Sequence, residues 1–560
     1  MKKTFRRPVS LALALALAAS VLAGCGETQT TGADLPEGAV SLVLSDDGIT
    51  VDGAAVTEDE SAAVYTAHDI VCYEDGQDFT YGAGDASDAH TAEEAAAHTV
   101  VHITQPGTYV LSGTLSAGQI AVDLGEDAKT DPGAVVTLYL NGVDITCTVA
   151  PAVIFYRVYE CDTAWVDYDE NGTEGYEATY AVDTSAAGAN VIIADGTENT
   201  ISGSYVAKIY KPESVTLSED GTEVTDAKKL HKYDGAFYSK MSMNVSGGEV
   251  GDGILTIQAE NEGLDSELHL TINGGDIRIT SGDDGINTNE DGVSVTTING
   301  GNLHIIAGLG TEGDGIDSNG YLVINGGTVV ASANPASDAG LDSDMGSFVN
   351  GGTVIALGST MDWAESDSNQ VTMNLQFAQY QSSGSAIVVT KEDGTVIFAY
   401  DPSEDEVLGE NMRQYMGAVI SCPAFTRGET YQLWLDGTVT GTETGGVYAS
   451  VTAYDGGTQM QYTGTDVGRG GMGGRRPGEE KPEGIDGERP HTGDFTPPDG
   501  DTGRDGQHPE KPDVERPTLP EGETMLDRQS PKGGQNATGE ASTGFYMNDM
   551  VNAFSGITAV

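Results

Sequence analysis

The sequence predicts an all-β fold: a right-handed parallel β-helix (a solenoid) with a β-rich C-terminal cap and a disordered acidic tail. Three observations carry this. A turn of the form Ile-Asn-Gly-Gly recurs at a nearly constant interval. Short runs rich in β-branched and aliphatic residues, broken by glycine, fill the space between turns. The repeats show alternation of period two and no helical period. The stretch GDGIDSNGYLVINGG, residues 313–327, holds one such turn and the short apolar run before it.

The elements follow in chain order. Residues 1–7 are basic, and 11–22 form an apolar run too short to span a membrane stably. The run ends in Leu22-Ala23-Gly24-Cys25. That spacing matches a bacterial lipobox, so residues 1–24 are expected to be a lipoprotein signal peptide and Cys25 the lipidation site. The expected location is the outer face of a bacterial membrane, at the cell surface, with the membrane reached through the lipid on Cys25. Residues 25–60, small, polar and acidic, are expected to be a flexible linker.

Residues 61–360 are expected to hold the solenoid. TVVHITQPGTYVLSGTLSAGQIAVDL (99–124) and VVTLYLNGVDITCTVAPAVIFY (135–156) read as strands and turns, with longer loops at 165–190 and about 211–232. The repeat is clearest over 233–360. Its turns place Asn273, Asn299, Asn325 and Asn350 at intervals of 26, 26 and 25 residues. Each repeat has three short strands, which bury an apolar face only when stacked on neighbours. A propeller blade would need about 40–45 residues, and a leucine-rich repeat a helical segment that these turns lack. The asparagines suit left-handed turn geometry, and their amides can bond between coils, so this ladder reads as structural.

Beyond the repeat, residues 361–465 stay strand-rich and are expected to cap the solenoid. Residues 466–540, rich in Gly, Pro and acids, are expected to be disordered. Residues 541–560 form a short amphipathic segment, expected to dock as a helix. Cys147 and Cys161 are open to either reading, disulfide or buried thiols; no Cys-x-x-Cys pair exists.

Charge narrows the function. The formal net charge is −61, and all four basic residues of 1–24 precede Cys25. From residue 25 onward, 22 basic residues face 87 acidic ones, a charge of −65. Such a chain repels nucleic acid and anionic headgroups, and attracts cations or anionic partners reached through cations.

Aligning the turns brings one motif into register: an acid, Gly, an apolar residue, Asp or Asn, then Ser or Thr. The copies are Glu262-Gly263-Leu264-Asp265-Ser266, Asp284-Gly285-Ile286-Asn287-Thr288, Asp314-Gly315-Ile316-Asp317-Ser318 and, with one extra residue, Asp338-Ala339-Gly340-Leu341-Asp342-Ser343. The apolar residue points inward, so its neighbours point outward. Stacking then puts Asp265, Asn287, Asp317 and Asp342 in one outward column, with Glu262, Asp283, Asp284, Asp314 and Asp338 beside it. Like charges at about 4.8 Å repel by roughly 3–4 kcal/mol at an effective dielectric near 20. These residues must protonate or hold a cation. Carboxylate, amide and backbone oxygens are hard ligands, which suit calcium (Ca2+). Turn chemistry explains one Asp-Gly pair; it does not explain acids on both sides of the inward residue in three of four copies.

GTYVLSGTLSAGQIAVDL, VTLYLNGVDIT, the Gly-Leu-Asp-Ser and Ile-Asn-Gly-Gly coils, and VISCPAFTRGETYQLWLDG together resemble a family. It comprises bacterial exported carbohydrate-binding parallel β-helix proteins, related in fold to pectate lyases. The resemblance covers roughly 100–440. It implies a calcium-bearing β-helix that binds plant-type or acidic polysaccharide, and it leaves the sugar open.

Whether such a chain binds or cleaves rests on a base. A pectate lyase needs Ca2+ on the uronate carboxylate and a Lys or Arg nearby. Residues 241–390 hold one basic residue, Arg278, with Lys240 one coil earlier. Carboxylates are too abundant to mark a glycosidase pair, and no HExxH, GxSxG or P-loop occurs. Trp165, Trp363 and Trp434 read as packing residues. The expectation is therefore a surface lipoprotein that binds acidic, pectin-like polysaccharide through Ca2+. The alternatives are a pectate lyase, or a structural spacer or adhesin with a calcium-stiffened solenoid.

Overall fold

A computed structural model describes residues 36–71, 77–82, 92–171, 176–206, 209–218, 220–359, 362–382, 384–404, 413–465 and 540–560. The expected signal segment, the expected lipidation site Cys25, and 466–539 of the expected tail lie outside the described residues. The all-β expectation holds: the described residues form large sheets with two short α-helices, Ala92–Ala96 and Thr163–Asn171. No helix among them is long and apolar enough to cross a membrane.

Three parallel ladders organise the chain up to about residue 358. The first contains Ala189–Ile193, Met243–Gly247, Leu270–Ile272, Val295–Ile298, Tyr321–Ile324 and Gly346–Val349. The second contains Glu198–Gly203, Ile254–Ala259, Asp276–Ser281, Asn302–Ile306, Thr328–Ser332 and Thr353–Gly358. The third contains Val153–Arg157, Gly235–Ser239, Glu262–Ser266, Ile286–Thr288 and Ile316–Ser318. Each successive coil adds strands in that order, so residues one repeat apart in sequence become hydrogen-bonded neighbours. Gly107–Leu115 and Val136–Thr146 run through the first two ladders as single bent strands.

Alternation decides what each coil buries. Ile277 and Ile279 face inward while Asp276, Arg278 and Thr280 face outward. Along the third ladder, Phe237, Leu264, Ile286, Ile316 and Leu341 form one buried column. A buried aliphatic side chain contributes about 1.5–3 kcal/mol, and stacking makes these columns one continuous interior. The Asn-Gly-Gly turns make the corner between the first two ladders. Their second glycines, Gly275, Gly301, Gly327 and Gly352, take φ of +98°, +90°, +81° and +84°, the left-handed region that a Cβ disfavours. Asn299, Asn325 and Asn350 each donate a side-chain N–H to the asparagine one coil earlier, at 2.9, 2.9 and 3.0 Å.

Two boundaries differ from the sequence expectation. Val40–Leu44 is a strand that pairs in parallel with 109–113, and Leu42 and Leu44 enter the core. The linker expected over 25–60 therefore contains an ordered strand, because the Val-Ser-Leu-Val-Leu run alternates and extends the first ladder. At the other end, Val551–Ala559 is a strand, not a helix. It pairs in parallel with 372–377 and antiparallel with 460–461. Its residues Asn552, Phe554 and, past a register shift, Ile557 are buried.

The C-terminal part covers the end of the stack. Tyr415–Ser421 pairs antiparallel with Thr353–Gly358 and so closes that strand's free edge. It also flanks the second ladder, whose outward residues Ile306, Val330 and Ile355 join a second core with Met373, Tyr400, Tyr431 and Phe554. Two insertions interrupt the coils. One runs from 158 to 188 and contains the helix Thr163–Asn171; the other runs from 204 to 234.

Candidate functional site

The third ladder brings the predicted acidic residues together. Asp265, Asn287 and Asp317 occupy one register position on successive strands. Asp342 continues the column, because Leu341 bridges Ile316 and the Asp342 backbone bonds Ile316 and Ser318. Glu262 lies on the same strand as Asp265. Asp283, Asp284, Asp314 and Asp338 sit in the turns that lead into this ladder. Part of that second row holds backbone: Asp284 accepts from the Asp314 N–H at 2.6 Å, Asp314 from the Ala339 N–H at 2.5 Å, and Asp338 from the Gly313 N–H at 2.9 Å.

The column is more enclosed than outward pointing implies. Glu262, Asp265 and Asn287 are buried, at 7 %, 0 % and 7 % exposure. Asp234, at the end of the second insertion, adds its charge to Glu262, Asp265 and Asp283. Burial first, then the Asp234 and Asp283 charges, push the Glu262 carboxyl up to about 8, against the hydrogen bond from Asn287. Burial, then Glu312, Asp234 and Asp338, push Asp283 to about 6. Asp265, Asp284, Asp314 and Asp317 are held well above the carboxylate range, by burial and then by one another and nearby acids.

Three oxygens at the buried end lack a partner. The Asn287 amide donates to Glu262 Oε1 at 2.9 Å, and Asn289 donates to Asp265 Oδ1 at 2.6 Å. Glu262 Oε2, Asp265 Oδ2 and Asn287 Oδ1 accept no hydrogen bond. A buried acceptor without a donor costs about 1–3 kcal/mol, and more when charged. The Glu262 and Asp265 carboxyls are near enough to share a hydrogen bond. This set can do two things: hold a proton between the carboxyls, or present hard oxygens to a cation. The donor chemistry fits Ca2+. Among the described residues no group of three or more His, Cys, Asp and Glu side chains stands as a ready metal cage. A cation here would draw on mixed carboxylate and amide oxygens.

Several nearby residues escaped the sequence reading. Asp234-Gly235 is the same acid-glycine signal one coil earlier, but Phe237 and not Ala236 takes the register position of Leu264. Asn289 follows Asn287 by two positions. The basic groups come from outside the 241–390 window: Lys229 pairs with Asp234 at 3.1 Å. Arg413 donates to the Ala307 and Gly308 carbonyls at 2.8 and 2.5 Å, close enough to Asp338 to feel its charge. Arg278 instead pairs with Asp276 on the second ladder. Cys147 and Cys161 are free thiols, pushed by burial up to about 11 and 12. Trp165 lies under Lys129, and Trp434 donates to Thr390, as packing residues do.

The fold and site define an all-β protein of stacked parallel ladders with an acidic column on one face. Residues 97–175 and 176–374 match a family model described as carbohydrate-binding domain-containing protein. No curated protein matches the chain. A solved polysaccharide lyase-like protein from C. thermocellum, a gadolinium derivative, aligns at 21 % identity and a TM-score of 0.30, covering 56 % of this chain and 92 % of that one.

Proposed function

We propose that this chain is a right-handed parallel β-helix that binds acidic, pectin-like polysaccharide through Ca2+ held on the third ladder. The family match supports carbohydrate binding. The observation that carries the calcium reading is the trio of orphaned buried oxygens on Glu262, Asp265 and Asn287. With Asp283, Asp284, Asp314, Asp317, Asp338 and Asp342 they are the residues that would hold cations. Bound cations neutralise the column and supply positive charge for uronate carboxylates, which a chain of net charge −61 otherwise repels. Anchoring through a lipid on Cys25 at the bacterial cell surface belongs to the same proposal.

A pectate lyase is the second reading, favoured by Lys229, whose charge reaches both Glu262 and Asp283. Its ammonium is paired with Asp234, so it serves as a positioning charge more readily than as a base. One experiment separates the readings: native electrophoresis of residues 26–560 through gels containing polygalacturonate, with Ca2+ or with EGTA. Retardation only with Ca2+, polymer intact, supports the binder, and Glu262→Gln with Asp265→Asn should weaken it at least tenfold. A cleared track means lyase. Free migration in both gels overturns the acidic-glycan reading and leaves the spacer.

A further inference from the structure

A second feature lies on the first ladder, away from the acidic column. The segment 180–185 of the first insertion lies along the outward face of this ladder. Thr184 Oγ1 donates within hydrogen-bond reach of both Asn244 Oδ1 and Thr271 Oγ1, at 2.8 and 2.7 Å, and Asn244 donates back to the Thr184 carbonyl at 2.8 Å. Four coils on, the Tyr180 ring stacks on Phe348 at 4.4 Å and meets Tyr321 edge-on at 5.9 Å. Between this strap and the asparagine ladder runs a groove of about 590 Å³, within the range of small-ligand sites.

The lining specifies the ligand. The floor is Thr271, Thr297 and Val323, and the far wall is Asn273, Asn299, Asn325 and Asn350. The ladder bonds use one N–H and one oxygen lone pair of each interior amide, whereas an amide offers two of each. Asn273, Asn299 and Asn325 are exposed. A donor and an acceptor therefore repeat along the wall at the strand spacing, about 4.8 Å, near the length of one sugar residue in an extended glycan. Tyr180, 45 % exposed, offers an aromatic surface at one end. The lining contains no Lys, Arg or His, and Asp183 is its one carboxylate. An anionic sugar finds no cationic side chain there, and a cation finds no cluster of carboxylates.

We propose that this groove is a second glycan site, selective for neutral polysaccharide and independent of calcium: amides pair with hydroxyls and Tyr180 stacks on a sugar ring. The test uses residues 26–560 in EDTA, run through gels containing galactan, glucomannan or xyloglucan, with polygalacturonate plus Ca2+ as a parallel arm. At least one neutral polymer should retard the protein. Tyr180→Ala should weaken that retardation about tenfold. Thr297→Tyr, which fills the floor from an outward position, should abolish it. Both variants should stay folded, by circular dichroism, and keep the wild-type polygalacturonate behaviour. No retardation by any of the three polymers overturns the proposal, as does retardation that neither variant changes. Loss of polygalacturonate retention alone in these variants also overturns it, because the groove would then belong to the acidic-glycan site. Failure of the polygalacturonate arm in the wild type counts only against the third-ladder reading.

Discussion

Asp265 has no exposed surface and sits among acids, with one oxygen held by Asn289 and the other without a donor. Glu262 repeats the pattern through Asn287. Two buried carboxyls that cannot both ionise cheaply are a local conflict, and such conflicts concentrate at functional sites. Replacing them with their amides, Glu262→Gln and Asp265→Asn, removes the charge and supplies N–H donors to the orphaned neighbours. The double variant should therefore melt higher than wild type in EGTA by scanning calorimetry. It should also lose the calcium-induced shift. For a site at a hundredfold excess over Kd, that shift corresponds to about 2.7 kcal/mol. A variant that melts lower in EGTA and still responds to Ca2+ would place the ion elsewhere.

At the scale of elements, the repeat was legible because stacking converts sequence interval into spatial contact. The 26-residue spacing of Asn273, Asn299 and Asn325 reappears as a chain of amide hydrogen bonds, and Asp265, Asn287 and Asp317 share one register position. What stayed hidden has physical causes. Lys229, Asp234 and the strap at 180–185 lie in insertions with no period, so only folding brings them to the ladders. The strand Val551–Ala559 has an apolar pattern that fits helix or strand at this length; its pairing with 372–377 decides, and that partner is about 180 residues away. Deleting 545–560 should then expose the strand edge at 372–381 and the ring of Phe377. Relative to the full chain, limited proteolysis should show new cleavage within 372–465 and leave 99–358 resistant. A cleavage pattern within 372–465 unchanged from the full chain would mean that the C-terminal strand is dispensable. Within the stack, Ile286→Ala leaves a cavity in a fully buried column and should cost about 2–5 kcal/mol. Chemical denaturation measures it, and a loss under 1 kcal/mol would mean that the coils collapse around the gap.

The whole molecule carries the same tension as a pH dependence. Glu262 in the folded chain titrates at about 8 and Asp283 at about 6, above their ordinary values of 4.5 and 3.8. Asp265, Asp284, Asp314 and Asp317 shift the same way. Below about pH 4 folded and unfolded chains both hold these protons, so the groups cost no stability. As pH rises the unfolded chain releases them first, the folded chain binds more protons than the unfolded one, and stability falls until the folded groups ionise, Asp283 near pH 6 and Glu262 near pH 8. Asp162 acts with the opposite sign. Burial raises it, but hydrogen bonds from His269, Tyr176 and Trp165 together outweigh burial and hold it at about 2, so its contribution is lost only below its ordinary value of 3.8. In EGTA the melting temperature should therefore peak near pH 4–5 and decline toward pH 8. Calcium competes with those protons, so its stabilisation should grow over the same interval and be larger at pH 8 than at pH 5. Calorimetry at both values, with EGTA and with Ca2+, tests both signs. A metal-free protein that gains stability from pH 5 to 8 would mean that the column is ionised without a cation. An equal calcium shift at both values would mean that the ion is held by groups already charged at pH 5, away from Glu262 and Asp265.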